Sequence, residues 1–310
     1  MELRHIRYFL AVAEERNFTR AAEKLGIAQP PLSQQIRALE TEIGAPLFRR
    51  VPQGAELTEA GQTFLDKART LVLQAEEAKR AAQRAARGEI GRLRLGFSGS
   101  AAFNPVVPAI IRTFRRTYPE IDLSLMEVNT LQLIEMLHEE EIDAAFIRPA
   151  QEDPPGLALC RFAEEPMLVA VPTAHPLARV GATTLSALAE ESFVLYPRTV
   201  GLGLYEEVMT HCRAAGFEPR VAIDCEPELA REAPQMASVI NLVAAEVGIC
   251  IVPRSMTQMG VGGVAFVPLA GNAPVARLAS AVRRGERAVP PRNFMTLAVQ
   301  AGERQKAGGR

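Results

Sequence analysis

Residues 17–44 read NFTRAAEKLGIAQPPLSQQIRALETEIG, and the spacing of apolar and polar residues in this stretch sets the architecture of the chain's start. Thr19 is a good N-cap for a helix from Arg20 to Leu25, which Gly26 ends as a C′ glycine. Ile27-Ala28-Gln29 forms a short turn, and Pro30 and Pro31 fit the first turn of the next helix, roughly 30–44. In that helix Leu32, Ile36, Leu39 and Ile43 fall within about 60° of one another at about 100° per residue, which predicts one buried stripe. The opposite face holds Pro30, Ser33, Gln34, Arg37 and Thr41, short polar groups with a single charge. A merely solvated face carries more charge, whereas amides, hydroxyls and an arginine are the groups that donate and accept at base edges. The first residues of such a helix reach furthest into a major groove, so Gln29, Ser33 and Gln34 are expected to meet bases and Arg37 a base or a phosphate.

Outward from this stretch, residues 4–15 show Ile6, Phe9, Leu10 and Ala13 at helical spacing and predict a preceding helix. After Gly44, the runs Leu47-Phe48-Arg49-Arg50 and Ala55-Glu56-Leu57-Thr58 flank Gln53-Gly54 and read as a two-stranded wing. Arg49 and Arg50 would flank the groove and touch phosphate. Helix lengths, turn glycine, polar face and basic wing agree with one another, which favours a winged helix-turn-helix head over a small helical domain with no nucleic-acid role.

The run FLAVAEERNFTRAAEKLGIAQPPLSQQIRALETEIGAPLFRRVPQGAELTEAGQTFL, residues 9–65, resembles the LysR-type transcriptional regulators, most closely their aromatic-catabolism branch of benzoate/muconate and chlorocatechol regulators. A-A-x-x-L-x-x-x-Q-P-x-L-S and L-F-x-R…L-T-x-A-G stand in the expected order. The resemblance implies that Gln29, Pro30, Ser33 and Gln34 contact DNA; many of the relatives most similar to this chain carry arginine where it has Gln34. The whole set expected to face DNA is Thr19, Gln29, Pro30, Pro31, Ser33, Gln34, Arg37, Arg49 and Arg50. The resemblance further implies a dimeric head on an inverted-repeat operator, a dimer of dimers overall (a homotetramer), and RNA polymerase as a partner.

Residues 58–87 predict one long helix beginning at Thr58. Phe64, Leu65, Ala68, Leu71, Val72, Ala75, Ala78 and Ala82 make an alanine-rich seam that suits close helix pairing. In LysR-type proteins this helix pairs antiparallel. Gly88 and Gly91 end it and make a natural hinge.

From residue 91 strands and helices alternate. Strands are expected at Leu93–Phe97, Leu123–Val128 and Asp143–Ile147, with helices from Asn104-Pro105 to Tyr118 and from Leu131 to Glu139, giving a parallel sheet. A second such unit starts at Met167–Val171 and continues through helices near 185–190, 204–215 and 236–246 and strands near 221–224 and 249–252. Residues 264–269 and 276–283 are strand-like, and a last helix near 291–301 returns to the first lobe. The fold class is α/β: an all-α winged helix-turn-helix head, a linker helix, and two Rossmann-like lobes of periplasmic-binding-protein type. The expected division is a DNA-binding head at 1–58, a linker and dimerisation helix at 59–88, lobe I at 89–162 and 268–303, lobe II at 163–267, and a disordered tail at 304–310.

Ligands of such lobes sit beyond the carboxyl ends of strands, at helix N-termini. Ser98-Gly99-Ser100 and Asn129-Thr130 qualify; both offer hydroxyls and free N–H groups that suit an anion such as a carboxylate, although each could equally be a cap or turn. In the aromatic-catabolism branch the positions of Ser100 and Thr130 bind inducer carboxylate. Arg148 at the end of its strand and Arg161 are further candidates, and the Gly201 to Leu204 run, with Leu202, Gly203 and Leu204, could present backbone N–H groups. Relatives that bind muconate-like acids often carry Pro and Phe at the positions of Leu202 and Leu204. Expected beside DNA is therefore a small-molecule effector, an inducer, with no cofactor and no metal.

At 310 residues and net charge −1, any DNA-binding surface must be a local patch. No apolar run is long enough for a membrane span, and MELRHIRYFLAVAEERNF is not a secretory signal, so a cytoplasmic activator is expected. Gly96-Phe97-Ser98-Gly99-Ser100 misses G-x-S-x-G at its last position, and no histidine is an obvious base for it, which argues against a hydrolase. Gly201-x-Gly203 is too little for a dinucleotide site. The four cysteines form no C-x-x-C pair. The alternative kept open is a redox-sensing regulator of the same architecture using Cys212 and Cys225.

Overall fold

The computed structural model describes residues 1–52, 54–196, 202–221 and 236–308. The chain divides into two compact units, residues 1–85 and 86–310.

The first unit holds α1 (Leu3–Glu15), α2 (Phe18–Leu25), α3 (Gln29–Ile43), the antiparallel pair β1 (Phe48–Val51) and β2 (Gly54–Leu57), and nearly all of α4 (Glu59–Ala86). Its core joins Phe9 and Val12 of α1, Ala22 of α2, Leu32, Ile36 and Leu39 of α3 and Leu47, with Leu65 and Ala68 added from α4. Phe9 stacks between Phe48 and Phe64, with ring centroids 5.1 and 4.9 Å away. Two local expectations are corrected. The cap of α2 is Asn17, whose side chain accepts from the N–H groups of Thr19 (2.9 Å) and Arg20 (3.2 Å). The helix therefore begins at Phe18, and Thr19 lies inside its first turn, exposed. Ile43 is 37% exposed, because the apolar stripe of α3 runs past the end of the head's core. At the junction of wing and long helix, Thr58 Oγ accepts from Gly61 N–H and its own hydroxyl donates to Pro46 O. Gly61 must be glycine there, since a Cβ would stand 2.0 Å from Leu47 O.

The second unit runs β3 (Ile90–Phe97), α5 (Gly99–Ala102), α6 (Val106–Thr117), β4 (Glu120–Glu127), α7 (Thr130–His138), β5 (Ala144–Ile147), β6 (Leu157–Arg161) and β7 (Glu165–Pro172). It continues through β8 (Thr183–Thr184), β9 (Ser192–Phe193), α8 (Leu202–Ala214), β10 (Arg220–Val221), α9 (Met236–Ala244), β11 (Cys250–Pro253), β12 (Val264–Ala270), β13 (Val275–Ala276), β14 (Ala279–Arg283) and α10 (Val289–Gly308). One sheet has the order β4-β3-β5-β14-β6 and the other β11-β7-β12-β8, with β13 also on β7. Each has its own core: Leu93, Ile110, Phe114, Phe146 and Phe294 beside the first, and Val169, Val171, Tyr196, Val208, Ile240 and Ile251 beside the second.

The sheets are mixed where parallel ones were expected. β3 is parallel to β4 and β5, but β14 runs antiparallel to β5 and β6, and β7 runs antiparallel to β11, β12 and β13. The chain crosses between lobes after β6 and again after β13, and a strand that arrives by crossing enters without a βαβ turn to fix its direction. The short α5 and strand β6 lie outside the expected elements, and the expected helix near 185–190 is a 3-10 turn at Leu185–Leu188. The expected disordered tail is helical as far as Gly308. It is anchored: Gln305 Oε1 accepts from Ala163 N–H at 3.1 Å, and Gly302 packs against Phe162 and Cys160.

Candidate functional sites

In the head, α3 presents Pro30, Pro31, Gln34, Arg37 and Thr41 to solvent. Ser33 is not among them. It is 8% exposed, beside Leu32 and one turn before Ile36, and its hydroxyl accepts from Gln29 Nε2 at 2.8 Å. The flank of the stripe, not the centre of the polar face, is where Ser33 falls, so Gln29 covers it. Arg49 lies across β1–β2 from Glu56 and pairs with it at 2.5 Å, while the Arg50 guanidinium sits 5.5 Å above the Phe18 ring. Neither Arg37 nor Arg50 forms an ion pair among the described residues, so both cations are available at this surface.

In the second unit the ends of β3 and β5 lie side by side: Ser98 N–H donates to Phe146 O, and Arg148 follows β5. Ser98, Ser100, Thr130 and Arg148 are all buried. Arg148 N–H donates to Thr130 Oγ (3.2 Å), and its Nη2 donates to Ser100 O (3.1 Å) and Glu165 Oε1 (2.8 Å). Burial pulls the Arg148 guanidinium below the usual arginine range, while Glu165 opposes that pull. The carboxylate of Glu165 is shared. Its Oε1 also accepts from Ser255 Oγ (3.1 Å) and its Oε2 from Asn104 Nδ2 (3.0 Å). Asn104 belongs to the first lobe, Ser255 to the turn after β11 in the second, and Glu165 opens the crossing strand β7. One carboxylate thus ties both lobes to the arginine. Beside it, Gly203 at the start of α8 packs so tightly that a Cβ would stand 2.4 Å from Pro149 O and 2.7 Å from Arg148 O. Arg148 Nε and Ser98 Oγ are buried with no hydrogen-bond partner among the described residues.

The head and the two-lobed unit each match a family model: residues 3–62 match the bacterial regulatory helix-turn-helix protein, lysR family, and residues 86–302 the LysR substrate binding domain. The chain belongs to the LysR family of transcriptional regulators. It is 41% identical over 297 residues to the HTH-type transcriptional regulator BudR of Raoultella terrigena, covering 96% of this chain and 100% of BudR. It is 36% identical to the regulator CatR of Pseudomonas putida, covering 98% and 100% of the two chains. Among solved structures, CbnR complexed with its target DNA superposes with a TM-score of 0.81 at 27% identity, over 97% of this chain and 100% of that one. Full-length BenM gives 0.58 at 32% identity, over 100% and 98%. The protein is thus a DNA-binding regulator with an effector-binding domain, and not an enzyme.

Within this LysR-type chain the sequence candidates separate. Ser98, Gly99, Ser100, Thr130, Arg148 and Gly203 gather at one place. Asn129 is occupied as the cap of α7, in a reciprocal capping box with Gln132. Leu204 is 2% exposed in the second lobe's core, so it serves packing. Leu202 begins α8, and Gly201 lies outside the described residues. Arg161 is elsewhere, on Asp153 and the Gln151 carbonyl. Sequence reasoning missed Glu165, Asn104, Ser255 and Tyr196; the one available signal was the acidic pair Glu164-Glu165 ahead of the crossing strand. The redox alternative is not favoured: Cys212 is buried, with its thiol pushed up to about 11 by desolvation, and Cys225 lies outside the described residues.

Proposed function

We propose that this LysR-type regulator is an inducer-responsive transcription activator whose inducer is a small carboxylate held at Arg148. The observation that carries this reading is a buried guanidinium with an unpaired Nε beside the unpaired Ser98 hydroxyl, at the carboxyl ends of two strands. Ser98, Gly99, Ser100, Thr130, Arg148 and Gly203 are the residues we assign to it. Two donors in a buried pocket suit an acceptor-only group, and a guanidinium binds carboxylate with charge-assisted hydrogen bonds. Anion binding there competes with Glu165 for Arg148. Because Glu165 also holds Ser255 and Asn104, the competition alters how the lobes are tied.

On the DNA side, Gln34, Arg37 and Gln29 at the exposed start of α3 read base edges, Pro30 and Pro31 pack against the groove, and Thr19, Arg49 and Arg50 meet phosphate. Ser33 acts by holding Gln29. Leu71 and Leu73 of α4, 38% and 67% exposed, support pairing of this helix with that of a second copy, and two such pairs make the dimer of dimers. The protein then works in the cytoplasm, contacting RNA polymerase at its promoter. The test is operator binding and transcription from the adjacent promoter in vitro, with and without aromatic and dicarboxylic acids. An Arg148→Lys protein that binds operator but no longer answers the acid is the expected result; a full response would defeat the assignment.

A further inference from the structure

Tyr196 closes the second-lobe side of the same place. It is 2% exposed and packed in the core with Leu204, Cys212, Met236 and Cys250, yet its hydroxyl has no hydrogen-bond partner among the described residues. Packing alone would be served as well by phenylalanine, since a buried tyrosine hydroxyl ordinarily finds a partner and an unsatisfied one is unfavourable. Its apolar and thiol neighbours offer no strong acceptor.

The polar group that faces it is Arg148, close enough that the phenol and the guanidinium each affect the other's proton affinity. Both are donors. Arg148 Nε–H and Tyr196 O–H cannot satisfy one another by donating, and no hydrogen bond joins them. Ser98 Oγ, at the end of β3 next to Arg148's strand, is the third buried side-chain polar atom left unpaired among the described residues. Unpaired atoms from the two lobes that surround one guanidinium call for a shared acceptor.

We propose that Tyr196 is a ligand-binding residue of the effector site, donating from the second lobe to the same oxyanion that Arg148 and Ser98 receive from the first. This rests on the reading of Arg148 as the inducer's anchor. It adds that the anion bridges the lobes through its own oxygens, so its acceptor geometry is read from both sides.

The test uses the full-length protein, as wild type, Ser98→Ala and Tyr196→Phe, in thermal unfolding titrated with formate, benzoate and succinate, which span minimal, aromatic and two-headed carboxylates. Without acid, Tyr196→Phe is expected to unfold at or above the wild-type midpoint, since its hydroxyl has no partner to lose. For whichever acid stabilises wild type, both variants are expected to bind roughly 5- to 30-fold more weakly, the loss of one buried hydrogen bond. A midpoint several degrees lower for unliganded Tyr196→Phe would make the hydroxyl structural and overturn the proposal. Weakened Ser98→Ala with unchanged Tyr196→Phe would remove Tyr196 alone from the site. Unchanged affinity in both variants, or no stabilisation of wild type by any of the acids, would take down the carboxylate reading of Arg148 and the Tyr196 role with it.

Discussion

The polar face of α3 shows how one position separates a contact from a support. Gln34 is exposed and Ser33 is covered, although the two are neighbours and both looked outward on a helical wheel. Gln34→Ala is expected to weaken operator binding by about 5- to 100-fold, the worth of one bidentate base contact, with binding to random DNA unchanged. Fluorescence anisotropy on both DNAs checks it, and equal losses would move Gln34 to a phosphate role. At the other chemically active residue type, burial lifts the Cys212 thiol to about 11, against a free thiol near 8.5. In the native protein at pH 8, iodoacetamide is therefore expected to modify Cys212 roughly a hundredfold more slowly than free cysteine. Peptide mapping after timed quenching gives that rate; labelling as fast as free cysteine would reopen a redox role. The partners of Arg148 illustrate what a local pattern omits. Ser100, Glu165 and Arg277 lie 48, 17 and 129 residues from it. No periodicity in the sequence connects them.

At the scale of elements, the agreement is greatest where a single helix carries its own signals. Gly26 and Gly44 both take left-handed φ values, +67° and +79°, where α2 and α3 stop. The prolines sit in the first turn of α3, where no intrahelical N–H is required. The N-cap of α2 was misread because Asn17 and Thr19 are both competent caps two residues apart, and only the backbone shows which one is extended. The junction between β1 and α4 is stricter than any propensity scale implies. Gly61→Ala would drive a methyl group into the Leu47 carbonyl, which is backbone and has little room to shift. We expect destabilisation of about 1–3 kcal/mol, the ordinary result of overpacking. Urea unfolding of the full chain measures it, and an unchanged midpoint would mean that the wing and α4 part easily.

For the whole molecule, the two lobes share more than a covalent crossover. Glu165 binds Arg148 and Asn104 on one side and Ser255 on the other, with its side chain 13% exposed. Removing one member of a buried pair strands the other charge, so Glu165→Ala is expected to cost roughly 3–5 kcal/mol of stability. Calorimetry decides it: a loss below about 1 kcal/mol would show that water replaces the carboxylate and that the lobes do not depend on it. A second tie runs in parallel. Arg277 bridges Glu164 (3.0 Å) and Glu207 of α8 (2.5 Å), so the crossing strands and the helix beside Gly203 move with the same charges.

The sequence by itself determined the head, the long helix and the alternation of strand and helix, because each of these is written in spacings of a few residues and in caps that act on their own backbone. Tertiary structure alone decided the directions of the crossing strands, the burial of Ser33, the anchoring of the last helix by Gln305, and the assembly of Ser98, Arg148, Glu165 and Tyr196. The physical reason is range: a helical stripe or a cap needs only neighbours within a turn, whereas a buried charge takes whichever partners the packed lobes bring within about 3 Å of it.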